Sequence, residues 1–243
     1  MSRHSPTKEE LEEMYSITPI KLSNNCYAFV MGTIGTENME LCEKKNICKK
    51  PQPGYISGIE HWTPENFNTE EIMKRVIEDS NGKIYVPDAI WKQDYNIHRE
   101  VVYTQKSEPC MDGYYKGALV IAPNYDYHFY RQMEDGTWMH KRGQTEISDK
   151  DASGRVIKNP QLADRNYGIA SNGSHRNYSQ FCTYFCIPYE NFDFGVSSSV
   201  KKNTKNVQYK EKLNKYILEQ IQKIKAQSQP HIEAFNNRRT KNR

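Results

Sequence analysis

The chain has 243 residues and a net charge of +4, and 36% of its residues are hydrophobic and 12% aromatic. This length allows one core of moderate size, which the low hydrophobic content predicts to be rich in aromatic side chains. The apolar runs are shorter than the ~20 residues of a membrane span, and the charged first residues differ from a signal peptide. We therefore expect a cytoplasmic, non-secreted protein.

Two helices are predicted in the first 35 residues. Thr7 and Glu10 form a capping-box pattern for an acidic surface helix. Asn24 and Asn25 precede the apolar residues 26–31 and Gly32, a pattern typical of a short capped helix that begins at Cys26. A helix N-terminus and a nearby imidazolium lower the pKa of a cysteine from about 8.5 towards neutrality. Cys26 is therefore a candidate nucleophile, the alternative being an inert buried thiol.

The middle of the chain predicts an antiparallel sheet with helices on one side. Residues 35–66 are rich in charge and proline and are expected to form a loop, and residues 68–79 form an amphipathic helix pattern. Strands are predicted at residues 99–104, 114–121, 127–132, 137–141 and 179–187. The expected fold class is α+β.

Two of these strands form a hairpin that carries two histidines. A two-residue turn at Asp135-Gly136 would place His128 and His140 on opposite faces of the hairpin. A three-residue turn, residues 134–136 with a left-handed glycine, pairs Tyr130 with His140 and returns both histidines to one face. They are then diagonal neighbours about 7–8 Å apart at the backbone, close enough for a hydrogen bond between the rings.

We interpret His128 as the base that takes the proton of Cys26, and His140 as the residue that orients the His128 ring. A lone histidine in an aromatic strand usually has a packing role, so this interpretation depends on Cys26. Asn124, Asp126 or a loop residue remains an alternative to His140. The neighbours of the nucleophile and base are candidates for the oxyanion and substrate site: Asn25, Asp126 and Tyr127.

These motifs resemble those of the NlpC-type peptidases and the related CHAP amidases, which are papain-like hydrolases. In that family a cysteine opens a helix, a histidine begins a later strand, and a second histidine follows about a dozen residues later. Residues 26–30 resemble the family's cysteine motif, and Gln52-Pro53-Gly54 resembles its Pro-Gly turn. The resemblance implies a Cys26-His128-His140 triad that cleaves peptide, isopeptide or side-chain amide bonds, including peptidoglycan-like ones. Asn25 departs from the family's aspartate, and the long separation of Cys26 from His128 requires insertions.

The six cysteines lack the spacing of a zinc site, so the pattern favours free buried thiols. Cys42 and Cys48 are too far apart for a zinc knuckle, and Cys182 and Cys186 have no histidine nearby. We expect neither a metal nor an organic cofactor.

Residues 149–177 are dominated by turn residues and are expected to form a long solvated excursion. Long loops often carry function, so the alternative is a segment that shapes a substrate cleft. In that case the polar contacts would come from Asp164, Arg165 or His175.

The end of the chain differs in charge from the rest. Residues 201–243 carry twelve basic and three acidic side chains, and their apolar residues recur at helical spacing. We expect a basic amphipathic helix and a disordered tail, either docked on the body or bound to nucleic acid or another anionic partner.

The resemblance therefore implies a papain-like domain at residues 1–200 that acts as a thiol hydrolase, and the charge pattern predicts a basic tail after it. One alternative is a structural or virion-associated protein that keeps the fold without the chemistry. The other is a nucleic-acid-associated protein that acts through its tail.

Overall fold

The computed structural model describes residues 6–32, 36–59, 61–81, 101–169, 173 and 175–189. The helices among them are α1 (Lys8–Ser16), α2 (Thr18–Ser23), α3 (Cys26–Val30), α4 (Thr36–Lys45) and α5 (Thr69–Asn81), with a 3-10 turn at Pro64–Asn66. The strands are β1 (Val102–Thr104), β2 (Tyr114–Ala122), β3 (Asp126–Gln132), β4 (Trp138–Lys141), β5 (Ile147–Ser148), β6 (Asn166–Ile169), β7 (His175–Asn177) and β8 (Gln180–Pro188).

Six of the strands form one antiparallel sheet in the order β1-β8-β2-β3-β4-β5. Strand β2 lies at its centre, paired with β8 on one side and β3 on the other. Strands β6 and β7 form a separate two-stranded sheet. The expected α+β class and the antiparallel sheet are confirmed.

Each face of the six-stranded sheet is covered by its own hydrophobic core. Along β2, Leu119 and Ile121 belong to the core that contains α3 and α5, whereas Ala118 and Val120 belong to a second core. This division follows from the alternation of side chains along a strand. The sheet is therefore buried on both faces.

A buried carboxylate joins the helices to the loop that follows α4. Asp79 of α5 is fully buried, and it accepts hydrogen bonds from the hydroxyl of Tyr27 at 2.7 Å and from the backbone N–H of Gly54 at 2.8 Å. Ser57 donates two more, from its N–H and its hydroxyl. These bonds stabilise the segment around Gly54 against α3.

The N-terminal capping box is confirmed, since Thr7 and Glu10 cap α1 reciprocally. Predicted and observed bounds agree within two residues for the helix at 68–79 and for four of the five strands. The first residues of the predicted strand 99–104 lie outside the described part of the chain. The prediction of a loop at residues 35–66 is wrong, because α4 lies within it and buries Met39 and Cys42.

The hairpin has the register that a three-residue turn requires. Tyr130 pairs with His140, and Gly136 is left-handed with φ 81°. Both histidines therefore lie on one face of the sheet.

The expectation of free thiols is wrong for four of the six cysteines. Cys42 is bonded to Cys48 and Cys110 to Cys186, while Cys26 and Cys182 are free. The first disulfide joins the end of α4 to the segment after it, and the second ties the segment before β2 to β8. Sequence spacing could not reveal the second pair, because its cysteines are 76 residues apart.

The predicted basic helix and tail at residues 201–243 lie outside the described residues. Among those the structure does describe, no helix is both long and apolar enough to cross a membrane.

The disulfides predict the number of reactive thiols. Protein unfolded in guanidinium without reductant should react with two equivalents of a thiol reagent, at Cys26 and Cys182. The same protein should react with six equivalents after reduction, because the chain has six cysteines. Six equivalents without reductant, from protein purified under non-reducing conditions, would contradict the disulfide pairing.

Candidate active site

Cys26 is the first residue of α3, which packs against β3 and β4. The side chain of Asn25 caps the helix by accepting a hydrogen bond from the Ala28 N–H at 3.0 Å, and it donates to the Pro51 carbonyl at 2.7 Å. The helix ends before Gly32, whose φ is +65° and where a Cβ would lie 2.9 Å from the Tyr115 hydroxyl. Both ends of the helix are therefore fixed by specific contacts.

The thiol of Cys26 lies against the backbone of β3. The backbone N–H groups of Phe129 and of Tyr27 lower the pKa of the thiol, and the Phe129 N–H belongs to the peptide that joins it to His128. The thiol therefore lies near the backbone of β3, the strand that carries His128. Among the described residues no hydrogen bond joins the thiol to the His128 ring, and catalytic hydrogen bonds often tighten only when substrate binds.

The expected low pKa of Cys26 is wrong. The side chain is 6% exposed, and burial, followed by the negative charge of Asp126, raises the pKa of the thiol from 9.0 to about 12. A helix terminus contributes about 0.3–1 kcal/mol, which is less than one pKa unit. Burial therefore outweighs the short helix, and Cys26 is a neutral thiol at rest.

The two histidines form a buried, hydrogen-bonded pair. His128 Nε2 lies 2.7 Å from His140 Nδ1, and His140 Nε2 lies 2.9 Å from the carbonyl oxygen of Lys150. The rings are nearly perpendicular, and the residues are 2% and 1% exposed. The sequence prediction that the histidines meet is confirmed.

The Lys150 carbonyl determines which nitrogens carry protons. A carbonyl oxygen only accepts, so His140 Nε2 must donate the proton, and in a neutral ring His140 Nδ1 is then the acceptor. His128 Nε2 must in turn donate to His140 Nδ1. The Nδ1 atom of His128 is left with a free lone pair, which is the state a general base needs.

Both rings are neutral at physiological pH. Burial lowers the pKa of His140 to about 4. Burial and the neighbouring His140 lower the pKa of His128 well below its usual value. The site therefore holds a neutral thiol and two neutral imidazoles rather than an ion pair.

Aromatic rings cover the histidine pair. Tyr178 stacks on His128 with ring centroids 5.2 Å apart, and Tyr130 stacks on His140 at the same separation. Tyr167 packs beyond His140 at 6.0 Å. Two of these three tyrosines come from the segment between β5 and β8, which therefore shields the pair from water.

That segment is more ordered than the predicted solvated excursion. The Asp151 carboxylate accepts hydrogen bonds from the backbone N–H groups of Ser153, Arg155 and Asp164. Asp164 and Arg165, which the sequence offered as cleft residues, bond to groups of the segment itself and to its junction with β8. His175 is exposed on β7. The segment holds the Lys150 carbonyl in place for His140.

Asn25, Asp126 and Tyr127 surround the thiol in different ways. Asn25 caps its helix, and Asp126 accepts from the Tyr178 hydroxyl and the Tyr127 N–H, both at 2.8 Å. The Tyr127 hydroxyl donates to Gln52. Asp126 thus reaches His128 only through the stacked Tyr178, and Asn124 lies in the turn between β2 and β3 with a left-handed backbone. The ring partner of His128 is His140.

Within the described segments, no three His, Cys, Asp or Glu side chains converge where a metal ion would bind.

No family model matches the chain, and no solved structure matches it. Insoluble matrix shell protein 1 of Ruditapes philippinarum is 31% identical over 153 residues, which make up 63% of this chain and 78% of that protein. The chain belongs to the family of this shell protein. The name of this relative refers to a shell matrix and does not mention a chemical reaction.

Sequence reasoning missed three groups that touch the site: the Lys150 carbonyl, the Tyr178 ring and the Lys141 ammonium. Tyr178 directly precedes a predicted strand, and Lys141 directly follows His140, so both were visible as neighbours of predicted elements. Their contacts come from packing between distant segments, which residue patterns do not encode.

The neutral histidines predict a specific loss of stability in acid. The unfolded chain binds a proton at each histidine near pH 6.5, whereas His140 in the folded chain does so only near pH 4. Between these values the unfolded state binds more protons, so the free energy of unfolding decreases as the pH falls. For His140 the loss is about 3 kcal/mol at most, from about 1.4 kcal/mol per pKa unit.

Chemical denaturation at pH 7 and at pH 4.5 measures this effect. The difference between the free energies of unfolding at the two pH values should be smaller in His140→Gln, whose side chain does not titrate. The exposed His175→Gln is the matched control and should retain the parent's difference. An unchanged difference in His140→Gln would show that His140 is not held neutral.

Proposed function

We propose that this protein is a thiol hydrolase that cleaves an amide bond through Cys26, His128 and His140. The observation that carries the proposal is the directed hydrogen-bond chain from His128 through His140 to the Lys150 carbonyl. It leaves a lone pair on His128 Nδ1, on the strand whose backbone lies near the Cys26 thiol. A pair of histidines kept only for packing does not require this polarity.

The reaction begins with proton transfer from Cys26 to His128. As His128 Nδ1 takes the proton, the sulfur attacks the substrate carbonyl carbon and a C–S bond forms. The backbone N–H of Cys26, at the first position of α3 where it has no partner within the helix, is the expected donor to the oxyanion. When the C–N bond breaks, His128 gives the proton to the leaving amine and a thioester remains. Water then attacks the thioester, with His128 as base, and Cys26 regains its proton.

Because the groups are neutral at rest, the proton moves as the C–S bond forms and no thiolate exists beforehand. His140 stabilises the imidazolium that appears on His128, since His140 Nδ1 accepts its Nε2–H. This resembles the role of the third residue in a hydrolase triad, which orients the base and supports its positive form.

The arrangement of the elements supports a papain-like assignment of the NlpC or CHAP type. The cysteine opens a helix, the first histidine lies on the next long hairpin, and the second lies on the adjacent antiparallel strand. The substrate class that goes with this assignment is a peptide, isopeptide or side-chain amide bond, and peptidoglycan-like peptides belong to it.

Acylation by p-nitrophenyl acetate tests the proposal without a known substrate. The rate of acetyl transfer to Cys26, located by peptide mass, should fall by about 10²–10⁴-fold in His128→Gln, because that is the usual contribution of a general base. His175→Gln is the matched control, and the free Cys182 is an internal reference thiol. Equal Cys26 acylation in the parent and in His128→Gln would contradict the proposal.

A second candidate is a matrix component that keeps the fold without the reaction. It is favoured by the burial and raised pKa of Cys26, and the related protein is named as an insoluble matrix protein of shell. This candidate predicts that Cys26 reacts no faster than Cys182 and that His128→Gln changes neither rate. The acylation experiment therefore separates the two candidates.

We infer that the chain works in an oxidising compartment and not in the cytoplasm. Two disulfides involve four of the six cysteines, and such bonds persist in secreted and extracellular proteins but are rare in the cytosol. This inference applies to both candidate functions.

A further inference from the structure

Lys141 is a buried cation on the strand that carries the orienting histidine. It directly follows His140 on β4, so the two side chains leave the strand on opposite faces. The His140 ring joins the histidine pair, while the Lys141 side chain extends towards the segment before α3. Lys141 is fully buried, which is rare for a lysine without specific partners.

The partners of Lys141 are three backbone carbonyls. Its Nζ donates to Lys21 at 2.7 Å, to Asn24 at 2.8 Å and to Gly143 at 2.6 Å. An ammonium has three N–H donors and no acceptor, so this geometry matches the charged form. A neutral amine has two N–H donors and would turn a lone pair towards one of the carbonyls.

Two of these carbonyls lie where the chain enters the nucleophile helix. Lys21 is in the last turn of α2, and Asn24 is the C-cap of α2, two residues before Cys26. Strand β4 thus holds the base through His140 and the entry to α3 through Lys141. A change in the contacts of His140 or Lys141 would move the thiol relative to the His128 ring.

Lys141 also affects the charge at the thiol. The side chains that act on Cys26 are Asp126, which opposes the thiolate, and Lys141, which favours it. The titratable groups that face Lys141 are Cys26 of α3, Lys21 of α2 and Lys50 of the segment before Pro51. Both imidazoles are neutral, so Lys141 is the cation beside Cys26 in the described part of the chain.

We propose that Lys141 is a positioning residue of the hydrolase: its ammonium fixes the entry to α3 and supplies the positive charge that stabilises sulfur as Cys26 loses its proton. This rests on the function proposed above. Burial lowers the pKa of Lys141 to about 7, so the charge is present below that pH and is lost as the pH rises through it.

The test is the rate of Cys26 alkylation by iodoacetamide between pH 6 and pH 10, with the modified site read by peptide mass. Lys141→Gln keeps two N–H donors for the carbonyls but removes the charge. The alkylation rate at pH 6.5 should fall about tenfold for each unit by which the thiol's pKa rises. The difference from the parent should shrink above about pH 7, where Lys141 loses its charge. Lys141→Arg, which keeps the charge, should restore most of the rate.

Lys116 provides a matched control. It is also a buried lysine whose Nζ donates to three carbonyls, those of Gln105, Lys106 and Glu108, but it lies on β2 and does not act on Cys26. Lys116→Gln should leave the pH profile of Cys26 unchanged. Thermal unfolding of each variant shows whether the fold is retained.

The outcomes distinguish this inference from the proposed function. A parent-like profile in folded Lys141→Gln overturns the role of Lys141, even if His128→Gln still abolishes acylation. An equal shift in Lys116→Gln overturns it as well, because the effect is then a general loss of structure. A change in Lys141→Gln alone supports the effect of Lys141 on Cys26, and acylation of His128→Gln decides separately whether the hydrolase proposal holds.

Discussion

The hydrogen bond from His140 to the carbonyl oxygen of Lys150 determines the chemistry of the site. A carbonyl cannot donate, so this bond fixes the proton on His140 and, through it, the proton on His128. Burial keeps both rings neutral and keeps the Cys26 thiol protonated. The site therefore contains a neutral thiol and two neutral imidazoles, and it differs from a preformed thiolate-imidazolium pair. The His128 and His140 rings are thus joined to each other and to the Lys150 carbonyl by hydrogen bonds of definite direction.

Much of this arrangement could be predicted because its signals are local. Asn25, the apolar residues after it and Gly32 define α3, and the hairpin turn at residues 134–136 sets the register of β3 and β4. Strand periodicity is two, so that register alone decides whether His128 and His140 share a face. The helix at Thr69–Asn81 and the central strands follow from their hydrophobic patterns.

The rest depends on contacts between distant segments. The pKa of Cys26 was predicted in the wrong direction, because the sequence shows the helix terminus but not the depth of burial. Lys141 reaches carbonyls 120 and 117 residues earlier in the chain, and Cys110 bonds to Cys186 across 76 residues. The Lys150 carbonyl has no side-chain signature at all. Helix α4 was missed because its segment is polar and its buried side chains are few.

The most direct test of the account is nitrogen NMR of the histidine rings in protein labelled with ¹⁵N at histidine, with the signals assigned by His128→Gln and His140→Gln. We predict that His128 carries its proton on Nε2 and has an unprotonated Nδ1, that His140 is also protonated on Nε2, and that both rings stay neutral at pH 6. A proton on His128 Nδ1, or a positively charged His128 ring at pH 6, would contradict the account, because the base would then have no lone pair for the proton of Cys26.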